Sequence, residues 1–224
     1  IGQIPTPAID KGFGLLHEIN GQTKIMSLLT KKTIGLRRAQ DASAAFVEAW
    51  QALKSGRPGP VGVEIPTNLW TAESGAKKQG LFIEPVPETL VEDTLVVEAA
   101  RMIAASQRPL IAVGSGAQDY SDAVRDLASA IGASVMAFRT GHGVVDETGP
   151  DFISMPQAHA LWSECDLLIG LGTRLITQKV GWGIDDDLKI LHVDIDPDVP
   201  DTGPPATLKI IADMGDVLPR LITA

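Results

Sequence analysis

The sequence predicts an α/β fold: a doubly wound parallel sheet in a second domain, preceded by a partial α/β segment. Three observations carry that expectation. Within Pro109–Ala117 a short, continuously apolar run leads straight into Gly114, the pattern of a strand buried on both faces, and two later stretches resemble it, Cys165–Leu171 and Lys189–Ile195. Helical patterns alternate with them, Ser121–Ile131 being the clearest. Each run also ends in turn chemistry, at Gly114-Ser115-Gly116, Gly170-Leu171-Gly172 and Asp196-Pro197. Ligands of doubly wound sheets bind outside the carboxyl ends of the strands, so these three turns are candidate rims of one crevice.

The elements follow in chain order. Ile1–Asp10 reads as a Gly- and Pro-punctuated loop, and Phe13–Leu29 is mixed in character. Gln40–Lys54 predicts an amphipathic helix, with Asp41 as N-cap and Ala45, Val47, Ala49, Trp50 and Leu53 on its apolar faces. The turn Arg57-Pro58-Gly59-Pro60 leads into a short strand, Val61–Ile65, stopped by Pro66. From Thr67 to Pro87 the periodicity lapses into Ala, Gly, Lys and Pro, the composition of a linker. The expected domain plan is therefore 1–70, a linker over 71–87, and a second domain over 88–224. In that domain Val91–Ser106 predicts a helix, Ala133–Phe138 a strand and Arg139–Pro150 a loop. A helix near Gln157–Ser163, a strand at Leu208–Ala212 and a helix at Met214–Ile222 complete the alternation.

Composition narrows the function classes. The 224 residues are 44% hydrophobic and 21% charged, ordinary values for a globular chain with a core. A net charge of −9 argues against a nucleic-acid partner, whose footprint is a basic face. No apolar run approaches the roughly 20 residues of a membrane span. Cys165 is the single cysteine, which excludes an internal disulfide, and its place at the start of a strand suggests a small buried hydrophobe. Nothing resembles a signal peptide, so a cytoplasmic setting is expected. The start at Ile1 rather than Met suggests a fragment.

Chemistry is harder to place from residues alone. Gly114-Ser115-Gly116 lacks the third glycine, and the acid about 20 residues on, of a dinucleotide fingerprint. Nicotinamide binding in the usual manner is therefore not expected. Asp194 and Asp196 share one face of a strand end and could accept ribose hydroxyls; equally, Asp196-Pro197 could simply cap and turn the chain. His142 sits between two glycines on a rim loop, with no partner evident in the sequence. His159 and His192 fall inside a helix and a strand and read as structural. Asp185-Asp186-Asp187 has the look of a metal-ligand run but reads as a solvated turn. No catalytic triad, zinc site or phosphate loop is spaced correctly.

Resemblance extends this reading. Gly56–Pro66, GRPGPVGVEIP, behind an Ala-rich helix, resembles the end of the pyrimidine-binding domain of thiamine diphosphate-dependent enzymes, in the acetolactate synthase-like branch. Ile1–Thr6 is similar to that branch's upstream GQVPT segment. RPLIAVGSGA, the Gly141-His142-Gly143 loop, CDLLIGLGTR, ILHVDIDP and KIIADMGDVLPRLI continue the match in order, as the family's central domain. The resemblance implies a fragment of a 2-oxo acid decarboxylase or carboligase that uses thiamine diphosphate and magnesium. It also implies a small 2-oxo acid substrate and a homodimer or homotetramer. A benzoylformate decarboxylase-like enzyme and a non-catalytic nucleotide-binding module are the alternatives. The family's catalytic glutamate lies upstream of the segment beginning at Ile1, and its diphosphate and magnesium site lies beyond Ala224. The chain alone is therefore expected to be inert.

Some positions carry over by resemblance. His17 stands where acetolactate synthases have a substrate-facing glutamine, and Lys31 follows Thr30 near the substrate entrance. Nucleotide contacts in the central domain would come from Gly114, Ser115, Gly116, Thr140, Gly141, Gly172, Arg174, Asp194 and Asp196, with Arg174 facing a phosphate. The occupant would be FAD, an adenine nucleotide, or nothing, as members of the family differ. Two departures bear on FAD. Leu175-Ile176-Thr177-Gln178 replaces the Phe-Asp-Asp-Arg of flavin-binding synthases, and Ser115 replaces the middle glycine of their turn.

Overall fold

The computed structural model describes residues 1–75, 86, 88–199 and 201–224, so most of the expected linker lies outside the described residues. The chain divides into two compact units, Ile1–Pro87 and Glu88–Ala224.

The first unit contains β1 (Gly2–Gln3), α1 (Gln22–Leu29), β2 (Lys32–Gly35), α2 (Ala42–Lys54) and β3 (Val61–Pro66). Its strands form a parallel sheet in the order β1-β3-β2. The strand after the GRPGP turn is thus central; β1 comes from the stretch read as loop, and β2 from residues to which the sequence assigns no element. They escape a sequence reading because two- and four-residue strands have too little alternation to register; pairing to β3 creates them. Asp41 stands at the N-cap of α2 without making a capping hydrogen bond. Its carboxylate is engaged by Arg38 instead, at 2.8 and 2.9 Å.

The second unit contains α3 (Asp93–Ala105), β4 (Pro109–Val113), α4 (Ser121–Ile131), β5 (Ser134–Ala137), α5 (Met155–Ala160), β6 (Leu167–Leu171), β7 (Lys189–Asp194), β8 (Leu208–Ile211) and α6 (Met214–Thr223). All five strands are parallel, in the order β5-β4-β6-β7-β8. The order reverses across β4, which makes the β4/β6 boundary the topological switch point. Alternate residues feed two cores. Ile111, Val113, Ile169, Leu171, Leu191 and Val193 pack under α3, α4 and α6, whose Ala99, Leu127 and Leu218 join them. Leu110, Ala112, Met136, Leu168 and Ile190 face the other way, onto Ala158 of α5 and Leu175. The fold class read from the sequence, a doubly wound parallel α/β sheet, is the one observed.

Local contacts set where β6 and α5 begin, and one element lies where none was expected. The β6 strand starts at Leu167 because Asp166 turns its carboxylate to the α3–β4 turn, accepting from Gln107 N at 2.7 Å, from Arg108 N at 3.0 Å and from the Ser106 hydroxyl. Cys165 just ahead of it is half-buried rather than buried; its thiol donates to Leu167 O at 3.3 Å, and burial pushes its pKa up to about 11. The α5 helix starts at Met155, earlier than its apolar pattern suggests, because Gln157 Oε1 accepts from Ser154 N at 2.8 Å. A six-residue π-helix, Thr177–Trp182, follows β6 and had no signal in the sequence.

Candidate functional site

The crevice candidates of the second unit converge at the carboxyl edge of the sheet, but the glycines there meet one another. Gly114 N donates to Leu171 O and Gly116 N to Gly172 O, each at 3.1 Å. A Cβ on Gly114 would lie 2.4 Å from Gly172 O, and one on Gly116 2.8 Å from Gly172 Cα. A Cβ on Gly141 would lie 2.2 Å from Val113 O. These are backbone-on-backbone contacts, closer than any side chain permits. At the switch point the β4 and β6 turns are therefore packed together, with two inward N–H groups already spent.

The polar rim around that seal is more open. Ser115, Thr140 and Arg174 are exposed. Asp194 is buried and accepts from Asp196 N at 2.9 Å; Asp196 is half-buried and accepts from Asp198 N at 3.1 Å. The two carboxylates thus shape the Asp-Pro turn, as one of the two sequence readings holds, and each makes further interactions. Arg139 (φ 49°) and Leu175 (φ 53°), just past β5 and β6, are held in the left-handed region that non-glycine residues avoid.

Two rim residues had no individual signal in the sequence. Gln118 donates its amide to Thr140 O (2.7 Å) and His142 O (2.9 Å), tying the turn after β4 to the loop after β5. Glu147 supplies the partner His142 lacked: its Oε1 lies 2.7 Å from His142 Nδ1 and accepts from Gly143 N at 3.1 Å. That hydrogen bond to His142 holds the Glu147 carboxyl below the usual range. Both are tertiary contacts between ordinary loop residues, so only the fold pairs them.

The buried polar groups lie on the α5 side of the sheet. His192 is fully buried, with Nε2 2.6 Å from Thr173 O. A carbonyl only accepts, so Nε2 carries the proton, and Nδ1 has no partner among the described residues. Burial pushes its pKa down to about 4, and the neighbouring Lys179 adds to the shift. Gln178 and Lys179 of the π-helix are buried as well, and burial lowers the Lys179 pKa. His159 packs on Trp182 at 5.0 Å. The Asp185–Asp187 run is a turn, with Asp185 Oδ1 accepting from Asp187 N and Leu188 N. Among the described residues no three His, Cys, Asp or Glu side chains are grouped to hold a metal ion. None of the described helices is long and apolar enough to cross a membrane.

The first unit's candidates are separate residues with different fates. His17 is exposed, on the loop before α1, at φ 70°. Lys31 spends its ammonium on the end of α2, donating to the Ser55 carbonyl and to Arg57 O at 3.0 Å. A buried acid that carried no functional expectation, Glu64, accepts from Gln22 Nε2 at 2.9 Å and Thr23 Oγ1 at 2.6 Å.

Comparison with known proteins identifies relatives of this arrangement. A family model described as "Thiamine pyrophosphate enzyme, central domain" matches residues 96–221. Acetolactate synthase isozyme 1 large subunit of Escherichia coli is 29% identical over 99% of this chain and 40% of its own length. The acetolactate synthase large subunit of Parasynechococcus marenigrum is 30% identical over 99% of the chain and 38% of its own. The crystal structure of a candidate thiamin diphosphate-dependent enzyme from Mycobacterium smegmatis superposes with a TM-score of 0.81 at 19% identity. That match covers 99% of this chain and 44% of the other, and it establishes likeness of fold. The chain spans about two fifths of the length of the curated relatives it matches.

Proposed function

We propose a function from one premise: the chain belongs to the thiamine pyrophosphate enzyme family, through its central domain. The reading is that it forms the pyrimidine-domain end and the central domain of an acetolactate synthase-like enzyme. That enzyme decarboxylates a small 2-oxo acid and passes the remainder to an acceptor. The observation that carries it is the collinear match of both units to acetolactate synthase large subunits, over 99% of the chain. A free-standing nucleotide-binding module would have no use for the GRPGPVGVEIP unit that precedes the central domain.

Bound thiamine diphosphate would supply the electron sink for decarboxylation. The 224 residues contain no Gly-Asp-Gly segment for its diphosphate and magnesium, so this chain on its own is proposed to be inert. What it contributes is a substrate-facing His17 and a rigid central domain, in a homodimer or homotetramer. FAD does not fit the glycine turns of the central sheet: Gly114 and Gly116 have committed their N–H groups to the neighbouring turn, leaving them unable to cradle a diphosphate. No step is routed through a flavin. Any adenine nucleotide would be confined to the outer rim, at Ser115, Thr140, Arg174 and Asp196.

The test is carbon dioxide release from a panel of 2-oxo acids with thiamine diphosphate and Mg2+. The native protein should have an intact mass more than about twice 23.7 kDa, as its relatives' lengths imply, and should turn over at least one substrate. The 224-residue chain alone should turn over none. Release by the short chain, or none by the longer protein, would reject the reading.

A further inference from the structure

We infer that Glu64 is a positioning residue for the loop 10–21, through which it fixes His17; the inference rests on His17 being substrate-facing. Glu64 lies on the central strand β3 and is 0% exposed. It has no ion-pair partner among the described residues; both oxygens are satisfied by neutral donors, the Gln22 amide and the Thr23 hydroxyl. A carboxylate buried this way is costly, and an apolar residue of similar volume would pack the position at less expense. Its chemistry is therefore spent on what it holds.

What it holds is the first turn of α1. That helix starts from Gly21, which offers no capping side chain, and has no acid of its own in the first turn. Glu64 brings the missing acid from β3 to the side chains of its first two residues. The Gln22 amide also donates to Gly2 O at 3.1 Å, so one side chain joins β1, β3 and α1.

The loop just upstream needs such an anchor. Five of its twelve residues, Asp10, Gly12, Gly14, His17 and Gly21, have φ between 61° and 71°. Three are glycines and tolerate this, but the left-handed region costs His17 about 1–2 kcal/mol. Strain of that kind persists where the surroundings over-determine it. The turn around His17 is closed locally, by Glu18 N to Leu15 O and Leu15 N to Glu18 Oε2, each at 2.9 Å. Its downstream end is closed by Glu64. A histidine kept where glycine would be easier, on a loop tied down by a buried acid, is a side chain held for presentation.

Two measurements test this, one of which needs no turnover. Hydrogen exchange on the 224-residue chain should accelerate about tenfold or more across 11–24 in Glu64→Ala, with β4 to β8 unchanged. Glu64→Gln, whose amide oxygen still accepts from Gln22, should stay within about threefold of the parent. In the native enzyme Glu64→Ala should raise the 2-oxo acid KM about tenfold with kcat nearly unchanged. In a His17→Ala background it should add less than about twofold, because the two act as one unit. Unchanged exchange at 11–24, or acceleration spread evenly through the first unit, overturns the inference, as do KM penalties that simply multiply. If no 2-oxo acid is turned over by any variant, the substrate reading fails while the exchange result still decides what Glu64 holds.

Discussion

Strand β6 of the second unit, Leu167–Leu171, is buried at every residue, whereas helix α1 of the first unit leaves Ile25, Leu28 and Leu29 exposed. The contrast extends through both units. In the second, the apolar residues of five strands are divided between two cores. In the first, only Ile4, Ala8, Leu36, Ala39 and Ala45 among its described hydrophobic residues are buried, while Phe13, Leu16, Leu28, Leu29 and Trp70 are each more than 60% exposed. Five parallel strands covered on both faces bury their apolar residues more fully than the three short strands and two helices of the first unit do. The two units thus reach very different degrees of closure within this chain.

The largest expected difference comes from the cores themselves. Leu191→Ala, at a fully buried strand position, should cost about 2–5 kcal/mol in chemical denaturation. Leu28→Ala, 86% exposed, should change stability by less than about 0.5 kcal/mol. Equal effects would erase the distinction between the units.

Acid should act on the second unit through His192. Its folded pKa of about 4 lies below the unfolded value of 6.5, so the unfolded state binds more protons between those limits. Its contribution is thus fully present above pH 6.5 and lost as the pH falls towards 4, to a total of about 3 kcal/mol. Melting curves from pH 7.5 to 4.5 should show the loss, and His192→Leu should flatten that part of the profile. A profile identical to the parent's would remove His192 as its origin.

Glycines sharpen the comparison at a smaller scale. Gly116→Ala forces a Cβ against Gly172 and should cost about 1–3 kcal/mol. Gly12→Ala meets open space and should cost only the left-handed backbone penalty, about 1 kcal/mol. Thermal shifts of similar size would mean that the switch point is looser than its contacts indicate.

The smallest expected effect is that of a nucleotide. Adding FAD or ADP should leave the melting temperature of the second unit unchanged, and purified protein should be colourless. A stabilisation by either that disappears in Arg174→Ala would instead place a ligand on the rim.

How far the sequence could be read follows the same division. Ser121–Ile131 was predicted to the residue, because eleven residues of strong amphipathicity repeat the helical period several times. The cores of β4 and β6 were equally plain as apolar runs, while β7 carries the buried His192 and Asp194 among its apolar residues. In the site, Gly114, Gly116 and Gly172 were identified as turn residues. Their use as mutual packing surfaces was not, because a glycine signals close approach without naming what approaches.

By itself, then, the sequence determined the fold class, the central-domain strands and the family, all of which rest on patterns confined to contiguous segments. Tertiary structure decided the rest. It recruited Gly2–Gln3 and Lys32–Gly35 as partners of β3, matched His142 with Glu147, and closed the switch point. It also buried Glu64 beneath α1, 41 to 42 residues from the side chains it holds. Such pairings depend on which segments the sheet brings side by side, and no local periodicity records that.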